Sequence, residues 1–199
     1  MNQQKLYNIF SLRPEKNEAR FAWIDYAKGI AIILVVYRHI AYGLIARGIS
    51  LPHGVIATND MLYSFRMPLF FLLSGVFFSR SIRKRGAGNF AVTKVNTLLY
   101  PYLLWAVIQI SLQIMFSRYT NSDRSAKDFL SIFLQPRSLD QLWYLFALFN
   151  VTMLYLLISF IVKDRKAWQL AVGLVLLGVS HYVERISTFY DIALHYIFF

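Results

Sequence analysis

The strongest constraint on this chain is a series of apolar windows at 27–46, 61–79, 98–117, 142–162 and 167–183. Each is near the length a helix needs to cross a hydrocarbon core about 30 Å thick. A segment in lipid must satisfy its own backbone hydrogen bonds, so each window predicts a helix rather than an isolated strand. A sixth apolar run begins at Ile192 and stops at Phe199, too short to span. The predicted fold class is all-α: a polytopic transmembrane helical bundle of about five spans plus the start of a sixth. There is no internal repeat or low-complexity tract. Residues 25–199 therefore read as one transmembrane domain, expected to be incomplete, behind a polar cytoplasmic segment at 1–24 that lacks the pattern of a removable signal peptide.

Composition supports membrane residence: 57% of the residues are hydrophobic and only 16% charged, too little polar surface for a soluble domain of 199 residues. The net charge of +11 would point to nucleic acid in a soluble protein. Here the basic residues cluster at the ends of apolar runs, which reads as topology and contact with membrane lipids, and no nucleic acid is expected as a partner. Cysteine is absent, which excludes disulfides, thiolate metal sites and a thiol nucleophile.

Lys and Arg asymmetry orients the spans. Arg80, Arg83, Lys84, Arg85 and Lys94 follow the second window without an acid, and Lys163, Arg165 and Lys166 follow the fourth against Asp164 alone. Both connections belong in the cytoplasm. The N-terminus then lies there too, with Lys5, Arg13, Lys16 and Arg20. The connections at 47–60 and 118–141 lie on the opposite side.

The first span, "AKGIAIILVVYRHIAYGLIA", holds Lys28, Arg38 and His39. Lys28 and His39 are eleven residues apart, which returns nearly to the same helix face about 16 Å along the axis. Arg38 is expected about a quarter turn aside. The second span brings Arg66 to a similar depth, with Pro68 predicted to kink the helix and free the Ser64 carbonyl into a wet cavity. Ionisable groups inside a membrane usually mark a site or pathway. A neutral imidazole can take a proton from a hydroxyl, and arginines can hold an anionic intermediate or a phosphate. The same groups suit anion or proton transport, and residue chemistry leaves both open.

Other signals read more plainly. Ser74-Gly75 fits close helix packing, Trp143 and Tyr144 an interfacial belt, and Tyr100-Pro101-Tyr102 a helix start. His53 reads as a loop histidine. His181, Glu184, Asp191 and His195 match no dedicated zinc spacing, so no metal is expected.

Four segments, in order, resemble the integral-membrane acyltransferase 3 family: "WIDYAKGIAIILVVYRH", "FRMPLFFLLSG", "KVNTLLYPYLLW" and "LWYLFALF". The first two are most similar to the branch that includes fucose 4-O-acetyltransferases. The resemblance runs from about Arg20 to the end and implies O-acetylation of a carbohydrate hydroxyl, on a cell-surface or exported polysaccharide. Acetyl-CoA would be the acyl donor, a substrate rather than a tightly bound cofactor. The implied setting is the bacterial cytoplasmic (inner) membrane. The family's essential histidine maps onto His39 as general base, with Arg38 or Arg66 stabilising charge or orienting substrate. Its basic partner maps onto Lys28, which with Arg83, Arg85 and Lys94 would attract the CoA phosphates. Lys28 stands where arginine is usual and lacks its planar fork; Arg66 stands where the branch often has histidine. The family's membrane unit is about twice as long as five spans. The chain is therefore expected to be an N-terminal part of that unit, with a second chain as a partner that could complete the bundle. The alternatives are an anion or proton-coupled transporter, or an inactive fragment of an acyltransferase.

Overall fold

The computed structural model describes residues 22–117, 124–162 and 165–199. Most of the expected cytoplasmic segment 1–24 lies outside the described residues, as do Lys163 and Asp164. All regular structure among the described residues is helical, with no strand. Four helical stretches among the described residues are long and apolar enough to cross a membrane: Trp23–Ala46, His53–Arg85, Ala87–Met115 and Pro136–Ile161.

Helix α1, Ala22–Ala46, turns back into α2, His53–Val76. The α1 end is a glycine-capped turn: Gly48 takes φ 78°, its N–H donates to the Ile45 carbonyl, and the Ile49 N–H reaches back to Leu44. A residue with a Cβ is disfavoured at that φ, so glycine here releases the chain from the helix. α2 remains helical through Pro68. After Phe77 it is prolonged by the basic helix α3, Phe78–Arg85, which ends at Gly86 with φ 72°. There the chain reverses into α4, Ala87–Lys94.

α4 does not stop where a helix start was expected at Tyr100. A wide turn over Val95–Leu99 carries it into α5, Tyr100–Met115, with the Tyr100 N–H donating to the Val95 carbonyl. Pro101 lacks a donor and its ring crowds the preceding turn, and this five-residue step gives it room within one continuous helical path.

The connection expected at 118–141 is largely folded. A 3₁₀ turn at Ala126–Leu130, the short α6 at Ser131–Leu134 and a broken 3₁₀ segment at Pro136–Leu142 lead into α7, Trp143–Ile161. Ile132 and Leu139 of this stretch join Tyr102, Ala106, Ile110 and Phe146 in one apolar cluster. The Tyr102 hydroxyl donates to the Ile132 carbonyl at 2.5 Å. The inward fold of this segment starts α7 inside the bundle. That corrects the interfacial-belt reading: Tyr144 packs against Phe70 and Phe71, and Trp143 turns toward a cavity.

The fifth apolar window forms α8, Lys166–Ser180, whose fifteen residues are fewer than a membrane crossing needs. At about 1.5 Å per residue it reaches about 22 Å. α9, Ser187–His195, and a final turn at Tyr196–Phe198 follow. This segment wedges against two glycines: a Cβ on Gly75 would overlap the Phe199 carbonyl oxygen, and one on Gly173 would sit 3.3 Å from the Ile197 Cα. The close-packing role read for Gly75 is thus visible in its contacts.

Candidate functional site

α1 is fastened to α2 by polar contacts that set the rotation of its Arg-His pair. The Tyr37 hydroxyl donates to the Val55 carbonyl at 3.1 Å, and the Tyr42 hydroxyl to Asp60 Oδ1 at 3.0 Å. One turn nearer the start of α1, Arg66 Nη1 donates to the Leu34 carbonyl at 3.0 Å. Pro68 was expected to free a carbonyl for a polar neighbour; the carbonyl Arg66 takes belongs to α1.

This registry opens a cavity of about 310 Å³. Arg38, His39 and Tyr42 of α1 line one wall, and Tyr63, Arg66 and Met67 of α2 another. Arg137 and Asp140 come from the broken 3₁₀ segment and Trp143 from the start of α7. The Arg38 guanidinium lies 4.6 Å from the ring centres of both Tyr42 and Tyr63, so aromatic faces support its charge. Arg66 is fully buried, and its Nε and Nη2 have no hydrogen-bond partner. His39 is exposed on the open side. Asp140 has φ 49° and ψ −113°, which breaks the helical path where it meets the cavity.

Behind this wall, Arg137 donates through Nε and Nη2 to Asp191 Oδ1 at 2.9 and 2.6 Å. Its guanidinium lies 4.9 Å from both Trp143 and Tyr190. Asp191 and His195 are buried one turn apart on α9, with the His195 ring stacked on Phe71 at 4.4 Å. His181 instead pairs with Glu184 at 2.8 Å. No three metal-binding side chains converge among the described residues.

A second cavity of about 390 Å³ opens at the basic end of the bundle, between α3, α7 and α8. Arg83 and Lys166 supply its cations, beside Tyr155, Ser159 and Gln169. Gln169 Nε2 donates to Ser159 Oγ at 2.8 Å, and the Tyr196 hydroxyl donates to Gln169 Oε1.

The structure brings Arg38, His39 and Arg66 together, and the first cavity takes in both Arg38 and His39 despite their different directions around α1. Arg83 lines the second cavity. Lys28 sits 5.8 Å over the Phe77 ring, next to Phe78 of that cavity's wall. Lys94 lies over Phe90, 5.4 Å from its centre. Neither Lys28, Arg85 nor Lys94 lines either cavity. Sequence reasoning missed Arg137, Asp140, Asp191 and Lys166 as site neighbours. Arg137 and Asp191 are 54 residues apart and no local pattern joins them; a buried carboxylate on a short apolar helix was the available signal.

Among the described residues, four membrane-length helices with cation-lined cavities at opposite ends define a polytopic helical membrane protein built around internal polar sites. The chain belongs to the acyltransferase 3 family, whose model, described as an acyltransferase domain, matches residues 21–199. It is also similar to the nodulation protein NolL of Mesorhizobium japonicum (strain LMG 29417 / CECT 9101 / MAFF 303099). The two are 32% identical over 84 residues, which cover 42% of this chain and 22% of that relative. No solved structure matches the chain.

Proposed function

We propose that this chain carries the acceptor site of a membrane O-acyltransferase that moves an acetyl group from acetyl-CoA to a carbohydrate hydroxyl. The observation that carries the reading is the single cavity that gathers His39 with the Arg38 and Arg66 guanidiniums beside the rings of Tyr42, Tyr63 and Trp143. Aromatic faces suit a sugar ring, and guanidiniums suit an oxygen that gains negative charge.

In the proposed reaction His39 takes the proton from the acceptor hydroxyl as its oxygen attacks the thioester carbonyl. A new C–O bond forms, and the carbonyl oxygen carries negative charge that Arg38 or Arg66 stabilises by donating hydrogen bonds. The C–S bond then breaks, and the CoA sulfur leaves with the proton held by the imidazolium. Lys28, Arg83, Arg85 and Lys94, joined by Lys166, would draw the CoA phosphates to the basic end. From that rim the donor must extend about 16 Å to reach His39, the axial rise between Lys28 and His39. Family membership supports an acyltransferase. Acetyl-CoA, the polysaccharide acceptor, the fucose-type branch and the inner-membrane location with a cytoplasmic N-terminus belong to the proposal.

The test is the O-acetyl content of the host's surface glycan when His39→Ala replaces the natural residue. Loss of acetylation at normal protein level supports the assignment; unchanged acetylation refutes it. Ion flux that persists without acetyl-CoA would favour an anion transporter, which the same cations could serve.

A further inference from the structure

Arg66 presents an unusual arrangement: a permanent cation fully buried at the wall of an open cavity, with only one of its three nitrogens engaged. An uncompensated buried charge is costly, and a buried donor without an acceptor adds to that cost. The two free nitrogens, Nε and Nη2, form one side of the guanidinium fork, the edge that receives a carboxylate or phosphate with two parallel bonds. The same protein shows that edge filled. Arg137, on the opposite wall, directs its own Nε and Nη2 to Asp191.

The cavity's charges agree with this asymmetry. Three guanidiniums and one carboxylate, Asp140, line it. Arg137 is neutralised by Asp191 from behind, and Asp60, outside the lining, accepts from Tyr42. That leaves Arg38 and Arg66 against Asp140.

We infer that the acceptor recognised here bears an anionic group, a carboxylate or a phosphate, whose entry shifts the cavity wall beside Tyr63, 5.2 Å from the Arg66 guanidinium, and uncovers the Nε and Nη2 edge that is closed to solvent in this structure. Its sugar ring then lies among Tyr42, Tyr63 and Trp143, with a neighbouring hydroxyl toward His39. This inference rests on the acyltransferase reading and narrows its acceptor to acidic carbohydrates. Arg38, less buried and held over two tyrosine rings, supplies the second positive charge at the mouth.

The experiment is equilibrium titration of the purified full chain in detergent, at constant ionic strength, followed by tryptophan fluorescence because Trp143 lines the cavity. The probes are glucuronate, glucose 1-phosphate, glucose, inorganic phosphate and CoA. The inference expects saturable binding of one or both acidic sugars, at least about tenfold tighter than glucose, the discrimination a bidentate contact supplies. Preference for glucuronate identifies a carboxylate, and preference for glucose 1-phosphate identifies a phosphate. Arg66→Lys keeps the charge, loses the fork and should weaken acidic-sugar binding by about tenfold. If that variant does not fold, Arg38→Gln should reduce the acidic-to-neutral ratio several-fold. The wild-type ratio decides the matter on its own. Equal affinity for glucose and the acidic sugars overturns the inference. So does inorganic phosphate binding as tightly as both sugars, or CoA competing for this site. The His39→Gln protein separates the two levels. Acidic-sugar selectivity with acetyl transfer independent of His39 sinks the catalytic reading and keeps the anion site. His39-dependent transfer without acidic selectivity does the reverse.

Discussion

The Arg137–Asp191 pair makes an asymmetric prediction, because its two partners differ in access to water. The Asp191 side chain is 1% exposed, whereas Arg137 retains 34%. Breaking a buried ion pair costs about 3–5 kcal/mol, chiefly because the abandoned charge stays buried. Arg137→Gln abandons the deeply buried carboxylate and should fall in that range. Asp191→Asn abandons a guanidinium that can still reach water, so its cost should be smaller, about 1–3 kcal/mol. The double variant removes both charges and should be more stable than Arg137→Gln alone, with a coupling of at least about 1 kcal/mol. Thermal unfolding in detergent reads these differences, at about 2–4 °C per kcal/mol for a chain of this size. Equal losses in the two single variants, or additive losses in the double, would refute the argument that burial of Asp191 dominates the pair.

Three further outcomes follow from packing and capping. Gly75→Ala drives a methyl into the Phe199 carbonyl and should cost about 1–3 kcal/mol, more than Gly173→Ala, where the neighbour lies at 3.3 Å; paired unfolding curves rank them. Tyr102→Phe removes the donor to the Ile132 carbonyl inside the apolar cluster and should cost about 1–2 kcal/mol, visible as a lower midpoint in the same assay. The Ser125 backbone N–H donates to Asp128 at 2.6 Å and holds its carboxyl below the usual carboxylate range, with smaller help from the Ser125 hydroxyl and Arg124. A depressed carboxyl stabilises the folded turn above its ordinary value of about 4, and that contribution is lost as pH falls through the lower folded value. Hydrogen exchange over Ala126–Leu130, corrected for intrinsic rates, should therefore lose protection in acid, and unchanged protection would contradict the cap.

The helical bundle was legible in the sequence because membrane-spanning segments announce themselves by length and hydropathy, which need no tertiary knowledge. The windows around His39, Arg66 and Leu148 all lie within long apolar helices. What those windows could not show is where polar stretches fold inward. Ile132 and Leu139 sit in a connection too short and mixed for a span signal, yet they pack against α5 and α7 and carry Arg137, Asp140 and Trp143 to the cavity. Likewise, the helical wheel separates Arg38 from His39 by a quarter turn, but the angle alone does not say how wide the facing cavity is. Juxtaposition of Arg38, His39 and Arg66 was foreseeable from equal depth on adjacent antiparallel spans. The Arg137–Asp191 contact was not, since it depends on how α9 folds back.

Acyl transfer in the cavity that holds His39 can be measured as a single rate. Its most direct measurement is the rate at which membranes containing this chain move label from radiolabelled acetyl-CoA to carbohydrate, compared between the natural protein and His39→Gln. The glutamine keeps the size and a polar tip but removes the base, so the rate should fall about 10²–10⁴-fold at equal protein level. A rate within a fewfold of the natural protein would contradict His39 as the base.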